Sequence, residues 1–334
     1  MDADLDPVSF GTDGWRATLD AFTDDRVRAV GRAVAAHLDA AGATGEVLVG
    51  YDARESSEGF AESLADTLVA RGFDAVLPRR DRPTPVVAWN VVRRGAAGAL
   101  VVTASHNPPE YNGVKFVPAS GAPAPPAVTD DIEARLGAAG DASDGGRGSV
   151  GRADLLGPYL DAVHERAGAY ADVDLGGLTV AYDAMHGSGR GATDELLARA
   201  GADVARLRCT RDPSFGGDRP EPASGHLGAL VDAVRDGDAD LGVANDGDAD
   251  RVALVTPERG VLDGNRTFAL LYDALLGSAS GPAVRTVSTT FLIDRIADAA
   301  GETVLETAVG FKHVAAGMAE CDALVGGEES GGYA

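Results

Sequence analysis

Ala99-Leu100-Val101-Val102-Thr103-Ala104-Ser105-His106-Asn107-Pro108 decides the fold. Four consecutive apolar residues make a strand buried on both faces, and they run straight into a polar loop closed by an Asn-Pro turn. Such a strand needs helices on either side of its sheet, so strands and helices should alternate around it. Upstream, Val47 to Tyr51 reads as a second buried strand and Glu58 to Arg71 as an amphipathic helix. Downstream, helices are expected at Asp154 to Ala169, Gly191 to Ala200 and Asn265 to Leu276. Strands are expected at Leu178 to Tyr182, Leu241 to Ala244, Val284 to Ser288 and Ala323 to Val325. The pattern predicts an α/β protein of three units with similar grammar and no strict sequence period. The stretches Pro118 to Pro126 and Gly137 to Gly151 hold little that could pack, and the second sets the first boundary. The expected domains are 1–140, 152–257 and 260–334. The chain stops just after Gly326-Gly327-Glu328-Glu329-Ser330-Gly331-Gly332, and domains rarely end on such a loop, so a fragment of a longer protein is expected.

The 334 residues carry 52 acidic and 29 basic side chains, a net charge of −23. That excess argues against nucleic acid or an anionic membrane as a partner. No apolar run approaches a membrane span, the acidic N-terminus is unlike a secretory signal, and Cys209 and Cys321 make no disulfide framework. A cytoplasmic protein, monomeric or a small homo-oligomer, is expected. Only Lys115 and Lys312 are lysines, and Asp outnumbers Glu by 37 to 15. Many carboxylates with few lysines fit adaptation to high salt, where self-repulsion is screened. A GC-rich coding bias would also favour Arg, Ala, Gly and Asp. On either account a retained lysine is expected to have a specific task.

Asp246-Gly247-Asp248-Ala249-Asp250-Arg251 offers three carboxylates at alternating positions, hard oxygen donors suited to Mg²⁺ or Ca²⁺. An EF-hand would need Gly and Glu where Arg251 and Pro257 stand, so that reading fails. The same five letters occur at Asp236 to Asp240, before the strand at Leu241 to Ala244 rather than after it. Ligands of open α/β sheets bind beyond the carboxyl ends of strands, which selects the second copy and leaves the first as a solvated turn. Ser105 also follows a strand. Its loop adds Thr103, His106 and Asn107 and continues to the rare Lys115. Alone, it reads as a polar turn. A serine hydrolase is disfavoured, because no Gly-x-Ser-x-Gly elbow surrounds Ser105.

The set of motifs resembles the α-D-phosphohexomutase family, the phosphoglucomutases and phosphomannomutases. Phe10-Gly11-Thr12-Asp13-Gly14-Trp15-Arg16 is similar to its N-terminal active-site motif. Thr103 to Pro108 is similar to its phosphoserine loop, Asp246 to Arg251 to its Mg²⁺ loop and Gly327 to Gly331 to its sugar-recognition loop. Val309-Gly310-Phe311-Lys312-His313 is a weaker fifth match. The resemblance runs along essentially the whole chain.

It implies four domains around a cleft, the first three being related α/β units with mixed sheets. The fourth, which grips the substrate phosphate, has no counterpart in this sequence. The implied reaction interconverts hexose 1-phosphate and hexose 6-phosphate of glucose or mannose. Phospho-Ser105 gives its phosphoryl group to the sugar, and the bisphosphate intermediate returns its other phosphate. A glucose 1,6-bisphosphate-type activator would prime the serine. By the same resemblance Asp246, Asp248, Asp250 and a phosphate oxygen on Ser105 hold Mg²⁺, while Arg16 and Arg251 supply fixed charge beside the phosphoserine. Lys115 transfers the proton and His106 belongs to the catalytic loop. Glu328, Ser330, Lys312 and Thr12 bind substrate. Some bacterial relatives have His where Gly332 stands, which moves any role of that His to Lys115 or Lys312. Phosphoglucosamine mutase is the neighbouring alternative, and a non-catalytic sugar-phosphate or metal-binding protein is the alternative of another class.

Overall fold

The computed structural model describes residues 8–11, 14–137, 148–171 and 173–334. The chain divides into two compact units, one of residues 1–159 with 211–219, the other of 160–210 with 220–334.

The first unit runs β1 (Trp15–Thr18), α1 (Asp24–Ala40), β2 (Glu46–Tyr51), α2 (Ser57–Ala70), β3 (Asp74–Pro78), α3 (Thr84–Arg94), β4 (Gly98–Val102), β5 (Tyr111–Pro118), α4 (Pro126–Ala134) and β6 (Val150–Ala153). Its sheet has the order β1-β5-β4-β2-β3-β6. β4, β2, β3 and β6 pair parallel, and β5 runs antiparallel to both β4 and β1. The apolar runs are continuous because both faces are covered. Val47, Val49, Leu100 and Val102 pack with α1, α2 and α4, whereas Leu48, Ala99 and Val101 meet Val87 and Val91 of α3. The first sheet therefore takes in Val150 to Ala153, beyond the break expected after residue 140. The helix α4 begins at the end of the Pro-rich stretch, with Pro126 in its first turn, where a missing N–H costs nothing.

The helix α5 (Leu156–Gly168) leads to β7 (Thr179–Asp183), α6 (Thr193–Arg199), β8 (Asp203–Leu207), α7 (Gly228–Arg235), β9 (Leu241–Asn245), β10 (Val252–Thr256) and β11 (Gly260–Val261). These strands form a mixed sheet in the order β11-β10-β9-β7-β8, with β8, β7 and β9 parallel. A smaller sheet follows, built with α8 (Gly264–Leu276), β12 (Ala283–Thr286), α9 (Leu292–Ala300), β13 (Val304–Thr307), α10 (Phe311–Cys321) and β14 (Val325–Gly327). Its three strands pair parallel in the order β13-β12-β14.

β14 is shifted two residues toward the C-terminus from the stretch expected from sequence, sharing Val325 with it. It is built on Gly326 and Gly327 because α10 lies directly on it. A Cβ at Gly326 would stand 2.7 Å from Cγ1 of the β-branched Val314 and 2.4 Å from Met318 Sδ, so the glycine lets the helix approach. Among the described residues no helix is long and apolar enough to cross a membrane.

Candidate active site

Ser105 sits in the connection between β4 and β5, at the carboxyl end of the buried strand β4. Its φ is +51°, left-handed and uncommon for a residue with a Cβ, and it is almost fully buried. Its amide donates to Thr103 Oγ1 at 2.8 Å, and that hydroxyl donates to Asp52 Oδ2 at 2.8 Å. Ser105 Oγ lies 3.2 Å from His106 Nδ1.

Beneath the loop lies Arg54, 1% exposed. Its Nη2 donates to the Ser105 and Asn107 carbonyls at 2.9 and 2.7 Å. Its Nη1 donates to those of Pro108 and Tyr111 at 2.6 and 3.0 Å. Its Nε meets Asp52 at 3.0 Å, and Ser57 Oγ donates to the same carboxylate at 2.6 Å. Burial pushes the Asp52 carboxyl up, opposed by the Arg54 charge and the Ser57 and Thr103 hydroxyls. Arg16, on β1, donates from Nη1 to Asn107 Oδ1 at 3.3 Å and so reaches the serine loop. Lys115, on β5 opposite Val101, is buried. Thr12 lies outside the described residues.

In the second unit, Asp246 to Arg251 connects β9 to β10. One carboxylate oxygen from each of Asp246, Asp248 and Asp250 lies within 4.8 Å of the others. Three hard, anionic oxygens this close suit a divalent cation such as Mg²⁺. Asp246 Oδ1 also accepts from the amides of Asp250 and Arg251, both at 3.1 Å, which fixes the turn. Asn245 braces it from below: Nδ2 donates to the Arg251 carbonyl at 2.7 Å, and Oδ1 accepts from Tyr182 at 3.0 Å and Thr193 at 2.7 Å. The Ser188 amide donates to the Gly247 carbonyl at 2.9 Å. The earlier copy of the motif is a mostly exposed link after α7. There Asp240 accepts from the Thr179 amide at 2.8 Å and clamps the start of β7.

Glu328 to Gly332 follow β14, closed by a bridge between Gly327 and Tyr333. Glu328 Oε1 accepts from the Gly310 amide at 2.9 Å, tying this loop to the start of α10, where Lys312 is the second residue. Glu329 Oε2 accepts from the hydroxyls of Thr286, Ser288 and Thr289 at 3.3, 2.9 and 3.3 Å. Ser330 is exposed, and with Glu329 and Arg251 it lines a cavity of about 370 Å³.

Three family models match in succession: phosphoglucomutase/phosphomannomutase alpha/beta/alpha domain I over residues 7–142, domain II over 157–260 and domain III over 263–334. The chain belongs to the phosphoglucomutase/phosphomannomutase family. It is 34% identical over 293 residues to a phosphoglucomutase/phosphomannomutase of Thermococcus kodakarensis, covering 86% of this chain and 63% of that one. It is 36% identical over 338 aligned positions to a phosphoglucosamine mutase of a Synechococcus species, covering 97% and 70%. A crystal structure from Thermus thermophilus, provisionally named a phosphomannomutase, superposes with a TM-score of 0.88 at 33% identity, over 100% of this chain and 76% of that one. The chain thus spans less than two thirds of the Thermococcus relative.

Besides the motif residues, each unit brings further polar side chains to these loops. Asp52, Arg54, Tyr182 and Asn245 were not singled out from the sequence, and Glu329 was read only as a member of the Gly327 to Gly331 loop. Asp52 and Arg54 directly follow β2, so the rule that chemistry gathers beyond strand ends would have found them. Asn245 closes β9 and obeys the same rule, whereas Tyr182, inside its strand, carries no local signal.

Proposed function

We propose that the complete protein is a phosphohexomutase that moves a phosphoryl group between the C1 and C6 oxygens of a hexose by way of Ser105. The observation that carries the reading is the Ser105 turn, a left-handed serine at a strand end, held by a buried polar network in a chain of this family.

Phospho-Ser105 gives its phosphoryl group to the free sugar hydroxyl: the bond from phosphorus to serine oxygen breaks and one to the sugar oxygen forms. Lys115 takes the hydroxyl proton, and Ser105 Oγ leaves with the bonding pair and takes up a proton. In the second half, Ser105 Oγ gives up its proton and bonds the other phosphorus of the bisphosphate, the bond from that phosphorus to the sugar oxygen breaks, and Lys115 returns its proton to that oxygen. His106, at 3.2 Å, orients Ser105 Oγ. Arg16 and Arg251 add fixed positive charge, and phosphoryl transfer depends mainly on positioning and charge. Asp246, Asp248 and Asp250 would hold Mg²⁺, which when bound supplies positive charge to phosphoryl oxygens. Glu328, Ser330 and Lys312 bind the sugar. Glucose 1,6-bisphosphate or a similar activator primes the serine.

Glucose or mannose phosphate is the first substrate reading. Glucosamine phosphate is the second, favoured by the similarity to the Synechococcus relative. The test is phosphopeptide mapping after exposure to glucose 1,6-bisphosphate, together with mutase assays of the full-length protein on glucose, mannose and glucosamine 1-phosphates. Phosphate on Ser105 and loss of turnover in Ser105→Ala are expected. An unmodified Ser105, with Ser105→Ala fully active, overturns the reading.

A further inference from the structure

We infer that Arg54 is a positioning residue for Ser105, setting the backbone of the loop that carries the phosphoryl group; this rests on the role of Ser105 proposed above. A guanidinium has five N–H groups. Here five acceptors meet them: the Asp52 carboxylate and the carbonyls of Ser105, Asn107, Pro108 and Tyr111. Four of the five lie between Ser105 and Tyr111, three in the connection from β4 to β5 and one on the first residue of β5. A buried arginine serving only to neutralise Asp52 would need two of its donors at most.

The conformation being held is costly. A left-handed residue with a Cβ persists only where its surroundings over-determine it. Both peptide groups of Ser105 are gripped by one network. Its carbonyl accepts from Arg54 Nη2, and its amide donates to Thr103 Oγ1, which donates to Asp52, the carboxylate paired with Arg54. The other side of the guanidinium is covered within the same unit. The Phe215 ring centroid is 5.1 Å from Arg54 Cζ, and Arg211 donates to the Arg54 carbonyl at 3.2 Å. Lysine keeps the charge but has three donors in a tetrahedral array, so it cannot span four carbonyls. A serine displaced by about 1 Å loses on the order of a hundredfold in rate. The arginine thus acts on transfer without touching the reacting atoms.

The test compares wild type with Arg54→Lys, Thr103→Val and the conservative Thr103→Ser. Thr103→Val removes no charge and serves if Arg54→Lys does not fold. Amide exchange of Asn107 and Tyr111 is followed against Leu100 to Val102. In parallel, intact-mass measurement follows phosphoryl uptake by Ser105 over a range of glucose 1,6-bisphosphate concentrations. The loop amides of Arg54→Lys and Thr103→Val should exchange about tenfold faster while β4 keeps its protection. The maximal uptake rate should fall about a hundredfold with little change in the half-saturating concentration, and Thr103→Ser should recover it. Unchanged loop exchange, or faster exchange throughout the unit, overturns the inference. Wild type that takes up no phosphate on Ser105 defeats the mutase reading instead, and the exchange comparison still decides whether Arg54 sets the loop.

Discussion

Asn245→Ala removes the brace under the Asp246 loop. Three hydrogen bonds disappear, those with Tyr182, Thr193 and the Arg251 carbonyl. At about 1 kcal/mol net each, they amount to about 3 kcal/mol. The Tyr182 hydroxyl then faces a void on a side chain with no exposure. Burial pushes its phenol far above the ordinary tyrosine range, so it stays a donor and cannot relieve the loss by ionising. For Tyr182 the cost of an orphaned buried donor, about 1–3 kcal/mol, replaces that bond's share, and a water entering the void keeps the total near the lower end of about 3–5 kcal/mol. Both tryptophans, Trp15 and Trp89, belong to the first unit, so their fluorescence does not report this change directly. Native-state amide exchange of β7 and β9 is the suitable assay. Tyr182→Phe removes the orphan in advance, so the double variant should be less damaged than the two singles combined, by about 1–3 kcal/mol. Additivity within about 0.5 kcal/mol, or a cost of Asn245→Ala below about 1 kcal/mol, would refute the reasoning. Mg²⁺ affinity, read by calorimetry, should fall about tenfold in the same variant, as for other partners behind metal ligands.

Other changes test other parts. A Cβ on Gly187 would stand 2.7 Å from the Gly247 carbonyl oxygen and 2.9 Å from its Cα. Gly187→Ala should therefore displace the carboxylate loop and weaken Mg²⁺ binding by about tenfold or more in calorimetry. Hydrogen bonds from Arg135 and then His37 hold the Asp131 carboxyl down to about 2. The folded value is depressed, so the stability it contributes is present above the unfolded value of about 3.9 and is lost as pH falls through about 2. The urea midpoint of Asp131→Asn, followed by tryptophan fluorescence of the first unit, should lie below wild type at pH 7 and converge with it near pH 2. A gap that persists into acid contradicts this origin. Burial pushes the Cys209 thiol up to about 11. At pH 8 iodoacetamide should alkylate it about two hundredfold more slowly than an ordinary thiol, measured by peptide mass spectrometry; reaction within tenfold of glutathione contradicts the burial argument.

The strands at β2, β4, β7 and β9 were legible because each is a short apolar run bounded by polar or glycine-rich residues. The Ser105 and Asp246 loops were legible because reactive side chains stand directly after two of those strands. Arg54 was not, for a physical reason. Its four carbonyl partners lie 51 to 57 residues away in the chain, so beyond its place just after β2 nothing in the sequence shows what this arginine, one of 27, holds. Asn245 is similar: Tyr182 and Thr193 reach it from 63 and 52 residues away. β14 was displaced in the reading because its glycines look like loop residues, although they are there to admit α10. The pairing of Val150 to Ala153 with β3 was hidden because three of its four residues are exposed, which leaves no apolar pattern to read.

The chain enters the second unit after Tyr159, re-enters the first at Arg211 and leaves it again after Arg219. No single cut can therefore separate the two units into whole pieces. A fragment ending at Tyr159 would carry Ser105 and Arg54 but not Phe215, the ring over that guanidinium. Dissection of this protein for study should follow the thread rather than the linker, joining 211–219 back to the first unit by a designed connection or leaving the polypeptide uncut.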